Sequence, residues 1–232
     1  MQMKLIGVMR TMILLALFGL VGCHAGKTGP TRVLILGDSI SIGYTPFVRK
    51  MLGDEYVVVR PMTSDERAEN CEGTTKGVGA IDRWLEVDGG GFDVIHFNFG
   101  LHDLKAIDPK SGKSSGNPEH PKQADLQTYL TQLAVIVDRL GQTRAKLIFS
   151  TTTPVPEGGV KPFRNPNDVI AYNTGAVSLM RSRGIEIDDL YGFALPRLAI
   201  LQKPVNVHFT RAGTRLLAEK VTQSIEETVC GK

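Results

Sequence analysis

Cysteine is scarce in this chain, with three among 232 residues, at positions 23, 71 and 230. That scarcity excludes a disulfide-dense scaffold, which relies on many bridges in place of a core. The five histidines and three cysteines fall at none of the short spacings that gather a metal ion, so neither a metal nor a cofactor is expected. An excess of one charge is lacking as well. Twenty-seven basic residues against 24 acidic ones give a formal charge of +3, too little to form a basic face for nucleic acid. Gly26-Lys27-Thr28 has the closing residues of a phosphate-binding loop but not the first glycine or a preceding strand. No internal repeat is visible. The single long apolar run, residues 12–21, is too short to read as a membrane span.

That run follows Lys4 and Arg10, the charged-then-apolar layout of an export signal. It ends in Leu20-Val21-Gly22-Cys23, which resembles the lipobox of bacterial lipoproteins. The resemblance implies cleavage before Cys23, acylation of its thiol, and a protein anchored through lipid to a membrane of the bacterial cell envelope. Residues 1–22 are then the signal, 23–30 a tether, and 31–232 the folded domain. Removing the signal leaves 210 residues, enough for one well-cored domain, and lowers the formal charge from +3 to +1. Outside the cytoplasm a Cys71–Cys230 bridge could persist, but geometry argues against it. The helix ending at Cys230 should run about 25–30 Å from the neighbourhood of Cys71, beyond disulfide reach.

Short apolar runs at 32–36, 56–59, 92–99 and 145–150, with a weaker one at 184–187, suit buried parallel strands. Between them lie helical patterns. Residues 125–140 repeat Leu126, Leu130, Leu133, Val137 and Leu140 before Gly141. Residues 167–183 place Val169, Tyr172, Ala176 and Met180 on one side, with Asn167 as the expected cap. A last helix follows Thr210 through Leu216, Leu217 and Val221. Strands alternating with helices predict an α/β fold, three-layer α/β/α, with a central parallel sheet of about five strands. Its ligands should sit at the carboxyl ends of the strands. Two long polar loops, 105–122 and 151–166, follow strands and should rise on that side.

Four blocks carry chemistry. The first strand runs into Gly37-Asp38-Ser39-Ile40, which puts a hydroxyl at the ligand edge and at the start of a helix whose N–H groups could face an oxyanion. The second is Glu69-Asn70-Cys71-Glu72-Gly73-Thr74-Thr75. The third, Phe99-Gly100-Leu101-His102-Asp103, follows the expected strand Asp93 to Phe97. The fourth, Val205-Asn206-Val207-His208, precedes the last helix and supplies a base to take the serine proton. The Gly-x-Ser-x-Gly elbow of the other large esterase fold is absent.

In this order the blocks resemble those of the SGNH, or GDSL-type, hydrolase superfamily, and the resemblance spans essentially the whole chain after the signal. It implies a flavodoxin-like fold, Ser39 as nucleophile, His208 as base, and an oxyanion hole that includes the Gly73 N–H. Asp38 and Asn206 would support the site. Two positions depart from the pattern. His102 stands where the family has Asn, and an imidazole N–H could make the same donation. Val205 stands where the family has Asp, leaving Asn206, a backbone carbonyl or a distant carboxylate to orient His208 and implying a slower enzyme. His96, His120, Tyr172-Asn173 and Asp188-Asp189-Leu190-Tyr191 are read as structural.

The implied activity is hydrolysis of short-chain, most plausibly acetyl, esters. The substrate would be a small ester or an acylated carbohydrate, in keeping with a loop bearing Lys105, Lys110, Lys113 and Lys122 and with no extended apolar lid. Thioesterase or lysophospholipase activity stays open. So does a surface binding protein on a catalytically weakened scaffold, suggested by Val205 and His102.

Overall fold

Thr31–Leu36 (β1) is a run of mostly buried side chains flanked by turn residues, and in the computed structural model it joins a five-stranded sheet with Tyr56–Val59 (β2), Val94–Phe97 (β3), Lys146–Ser150 (β4) and Glu186–Asp188 (β5). The structure describes residues 29–231. The expected signal, Cys23 and nearly all of the tether therefore lie outside the described residues. All strands are parallel, in the order β2-β1-β3-β4-β5. The chain leaves β1 to one side for β2 and then crosses to the other for β3, so strand order reverses beside β1. A crevice opens at the carboxyl ends where it does so.

Seven helices complete the described fold: Ser39–Leu52 (α1), Thr74–Leu85 (α2), Leu126–Leu140 (α3), Pro166–Ser182 (α4), Leu190–Ala194 (α5), Leu198–Leu201 (α6) and Arg211–Cys230 (α7). Helices α1 and α7 pack together on one face, while α2, α3 and α4 pack in series on the other, giving the expected three layers. Among the described residues no helix is long and apolar enough to cross a membrane.

The caps follow the sequence with one correction. Asp125 and Thr210 accept N–H bonds from the first turns of α3 and α7. Helix α4 is capped by Asn165 rather than Asn167, because Pro166, with its fixed φ and no N–H, takes the first helical position. The apolar face of α3 also differs in part: Leu126 is exposed, and Tyr129 and Ile136 are buried with Leu133, Val137 and Leu140. Cys71 is a buried free thiol, so it forms no bridge to Cys230.

Aromatic packing reaches from the core to the end of β3. Fully buried Trp84 stacks on Phe99 at 6.3 Å, and the Tyr129 hydroxyl donates to the Phe99 carbonyl at 2.9 Å. The chain then turns sharply at Gly100, whose φ of +151° is one that side chains rarely adopt and where a Cβ would collide with Thr152 Oγ1. Gly100→Ala should therefore destabilise the fold by about 2–4 kcal/mol, combining backbone strain with overpacking. The shift of the urea unfolding midpoint measures it, and an unchanged midpoint would show that the turn is not constrained in this way.

Candidate active site

The nucleophile loop is built by the end of β1. Asp38 caps α1 by accepting the Ile40 N–H at 2.9 Å, which leaves Ser39 as the first helical residue, half-buried at the strand edge. The first N–H groups of a helix have no intrahelical partner, and of these the Ile40 N–H is taken by Asp38. Burial raises the Asp38 pKa, while the Ile40 N–H and the charges of Arg164, His208 and Arg60 work against that rise.

From the far end of the sequence, His208 reaches the same point. Its Nε2 lies 3.0 Å from Ser39 Oγ. Its Nδ1 lies 2.8 Å from Asn206 Oδ1, and the His208 backbone N–H donates to that same oxygen at 2.9 Å. A backbone N–H can only donate, so the amide must present its oxygen here, and the ring must carry its proton on Nδ1. Nε2 is thereby the acceptor for the serine proton. Of the orienters left open by the sequence, the structure selects Asn206. Val205 is half-exposed at φ +47°, a left-handed conformation that a β-branched residue enters only under constraint.

The second block is tied to the first by one bond and to the third by two. The Cys71 N–H donates to the Gly37 carbonyl at 3.2 Å. Thr74 donates its N–H and its hydroxyl to Asp103 Oδ1 at 2.9 and 2.6 Å, locking the start of α2 to the residue after His102. Burial pushes the Asp103 pKa up to about 6, against the hydrogen bonds from Thr74. Gly73 sits so close to this anchor that a Cβ would come within 2.8 Å of both Asp103 Oδ1 and Gln123 Nε2. Only glycine leaves that backbone in place.

His102 lies in a tight turn closed by the Leu104 N–H on the Gly100 carbonyl, and its Nδ1 is 3.3 Å from Lys105 Nζ. Burial, reinforced by the charges of Lys105, Arg164, Lys76 and His208, pushes its pKa down to about 3. His96, read as structural, forms a fully buried pair with Asp188 at 3.0 Å, away from this chemistry. Among the described residues no cluster could hold a metal ion.

Two cations, Arg60 and Arg164, were not singled out from the sequence, and a third, Lys105, was named only among the lysines of its loop. Buried Arg60 donates to the carbonyls of Gly37 and Glu69 and to the hydroxyls of Ser41 and Thr45. Arg164, from the second long loop, donates to the Leu101 and Pro162 carbonyls. Lys105 contacts His102. Arg60 has a faint sequence signal, a charge closing an apolar strand. Arg164 and Lys105 have only their place in loops expected on the ligand side.

No protein-family model and no curated protein matches the sequence. Solved structures do match the fold. A lipase/acylhydrolase from Enterococcus faecalis superposes with a TM-score of 0.65 at 16% identity, over 84% of this chain and 95% of that one. An acetyl xylan esterase gives 0.63 at 15% identity, over 84% and 99%. A GDSL-like lipase from Bacteroides thetaiotaomicron gives 0.59 at 14% identity, over 85% and 88%.

The pKa of His208 is depressed by partial burial. The Asp38 charge pulls it upward, and Lys203 and Arg164 add to the depression. An imidazole accepts a proton only when neutral, so an ester hydrolysis that uses His208 as base should lose kcat/KM as pH drops through a midpoint below the ordinary histidine value of about 6.5. Lys203→Gln should move that midpoint upward. Asn206→Ala frees the ring proton and should lower kcat by roughly 10–10²-fold, short of the ~10⁴ that a wrong tautomer costs a protease triad. A pH–rate series on the two variants tests both statements, and a midpoint above about 6.5 in the wild type would refute the electrostatic account. Taken with these superpositions, the five-stranded sheet and its carboxyl-edge loops give the chain the three-layer fold of the GDSL-type, or SGNH, hydrolases.

Proposed function

We propose that the protein is a serine ester hydrolase that removes short acyl groups, acetyl foremost, from small esters or acylated carbohydrates. The observation that carries this reading is the Ser39 Oγ–His208 Nε2 contact of 3.0 Å, with the far side of the ring fixed by Asn206. As Ser39 Oγ attacks the acyl carbon, its proton passes to Nε2. The carbonyl oxygen becomes an oxyanion that the Ser39 and Gly73 N–H groups and His102 Nε2–H stabilise. Collapse expels the alcohol, which takes the proton back from His208. Water, deprotonated by His208, then attacks the acyl-enzyme and releases the acid and free Ser39. The acetyl preference draws on the solvent-open His208, the polar loops around the site and the fold shared with an acetyl xylan esterase.

Ser39→Ala should abolish hydrolysis of short-chain aryl esters and labelling by a serine-reactive organophosphate, while far-UV circular dichroism stays unchanged because Ser39 is not a core residue. Hydrolysis retained at the wild-type rate would remove the esterase assignment. Anchoring through an acylated Cys23 at the cell envelope is part of the same proposal, on the strength of Leu20-Val21-Gly22-Cys23. Cys23→Ser should shift the protein from the membrane to the soluble fraction with ester hydrolysis intact. A variant that still pellets with membranes counts against lipidation.

A further inference from the structure

The ester chemistry above leaves one contact in the site unexplained, the ammonium of Lys105 against the ring of His102. The two residues share one side of a short turn, held by the Leu104 N–H on the Gly100 carbonyl and the Lys105 N–H on the His102 carbonyl. The three-residue spacing brings Lys105 Nζ to 3.3 Å from His102 Nδ1. Lys76, close by, forms ion pairs with Glu69 and Glu72. Lys105 forms no ion pair among the described residues, and its side chain is half-buried.

An ammonium group has three donors and no acceptor. The ring nitrogen facing it must present a lone pair, so the single proton of a neutral imidazole is forced to the other nitrogen. We propose that Lys105 is a positioning residue that holds His102 as the Nε2–H tautomer, making an ionisable side chain into a fixed neutral donor for the oxyanion. The proposal rests on the reading of His102 as an oxyanion donor. An amide in that position would need no such partner, because its N–H₂ is always a donor. Imidazole has two neutral tautomers, and only one keeps a proton on the nitrogen that Lys105 does not face.

The surroundings also keep a second proton off the ring. The charged and titratable groups around His102 are Lys105, Arg164, Lys76 and His208, and with burial they hold its pKa near 3. Burial, joined by the charge of Arg164, lowers the Lys105 pKa, while the charges of Glu72 and Asp103 favour its charged form. A neutral His102 matters because His208 becomes cationic in the transition state, and a second imidazolium beside it would oppose that charge. Lys105 polarises the ring from behind as well, strengthening the Nε2–H as a donor.

Nitrogen-15 NMR of the protein, with the His102 signals assigned by their loss in His102→Asn, reads the tautomer directly. Nδ1 should appear as the unprotonated nitrogen and Nε2 as the protonated one across about pH 5–8. Lys105→Met should release this preference and lower kcat about 3–30-fold with little change in KM. That is less than the 10²–10³-fold expected for His102→Ala, which loses the donor outright. Lys105→Arg, also donor-only, should recover most of the rate. In a His102→Asn background Lys105→Met should change kcat less than about twofold, since the coupling between the two residues is then gone. A proton on Nδ1 in the wild type would overturn the proposal, and so would an equal loss in both backgrounds, which marks Lys105 as merely structural. Should Lys105→Met not fold, Lys105→Gln replaces it, and the wild-type spectrum decides the tautomer by itself. That spectrum needs no turnover, so a failure of the esterase reading and a failure of this one are separable.

Discussion

The reactive geometry depends on the adjacency of β1 and β3, fixed by the parallel pairing of Val33 to Leu36 with Val94 to Phe97. This pairing brings Ser39 and the Gly100–Lys105 turn to one edge although about 60 residues separate them, a closure whose entropic cost grows only slowly with length. The edge needs further bonds, because a loop carrying a nucleophile cannot wander by an ångström and still meet its base. Arg60 supplies several of them. Its guanidinium binds the Gly37 and Glu69 carbonyls together, so the loops after β1 and β2 move as one body. Burial lowers the pKa of this arginine, but a guanidinium remains charged in proteins, and charge-assisted bonds to carbonyls are the stronger kind.

The base is arranged differently from a triad with a carboxylate. Asn206 fixes the tautomer of His208 through one oxygen that receives two N–H bonds, one from the backbone and one from the ring. That settles where the proton is before reaction. It does little for the charge that appears on the ring during reaction, since an amide dipole stabilises an imidazolium far less than a full negative charge does. The carboxylate whose charge pulls the His208 pKa upward is Asp38, and burial holds its own pKa up.

Much of this was legible in the sequence because it is local. Strands ending in glycine-rich turns, caps such as Asp125 and Thr210, and the periodic faces of α4 and α7 depend on residues within a few positions of one another. Ser39 and His208 were singled out through the resemblance of their blocks to the GDSL-type pattern, and the structure places the two side chains in contact. What escaped is tertiary. The choice of Asn206 over a distant carboxylate, the role of Arg60, and the approach of Arg164 to the Leu101 carbonyl are meetings between segments whose sequences carry no sign of each other. The Asn167 cap failed for a local reason, since Pro166 claims the first helical position and moves the cap back to Asn165.

In the proposed mechanism the two differences from the GDSL-type pattern, Val205 and His102, would act on the transition state with opposite sign. Replacing a carboxylate by Val205 and Asn206 withdraws negative charge from the side of the site where His208 becomes positive. Placing His102 with Lys105 behind it, and Arg164 nearby, adds positive potential on the side where the oxyanion forms. Both changes favour negative charge on the substrate over positive charge on the base. A site of this kind would lower the barrier through the oxyanion more than through proton transfer; the pKa of His208 is depressed mainly by partial burial, with Lys203 and Arg164 adding to it. In the proposed mechanism Arg164, whose charge acts on both His102 and His208, would favour the oxyanion while making the imidazolium harder to form, and so would couple the two halves of catalysis.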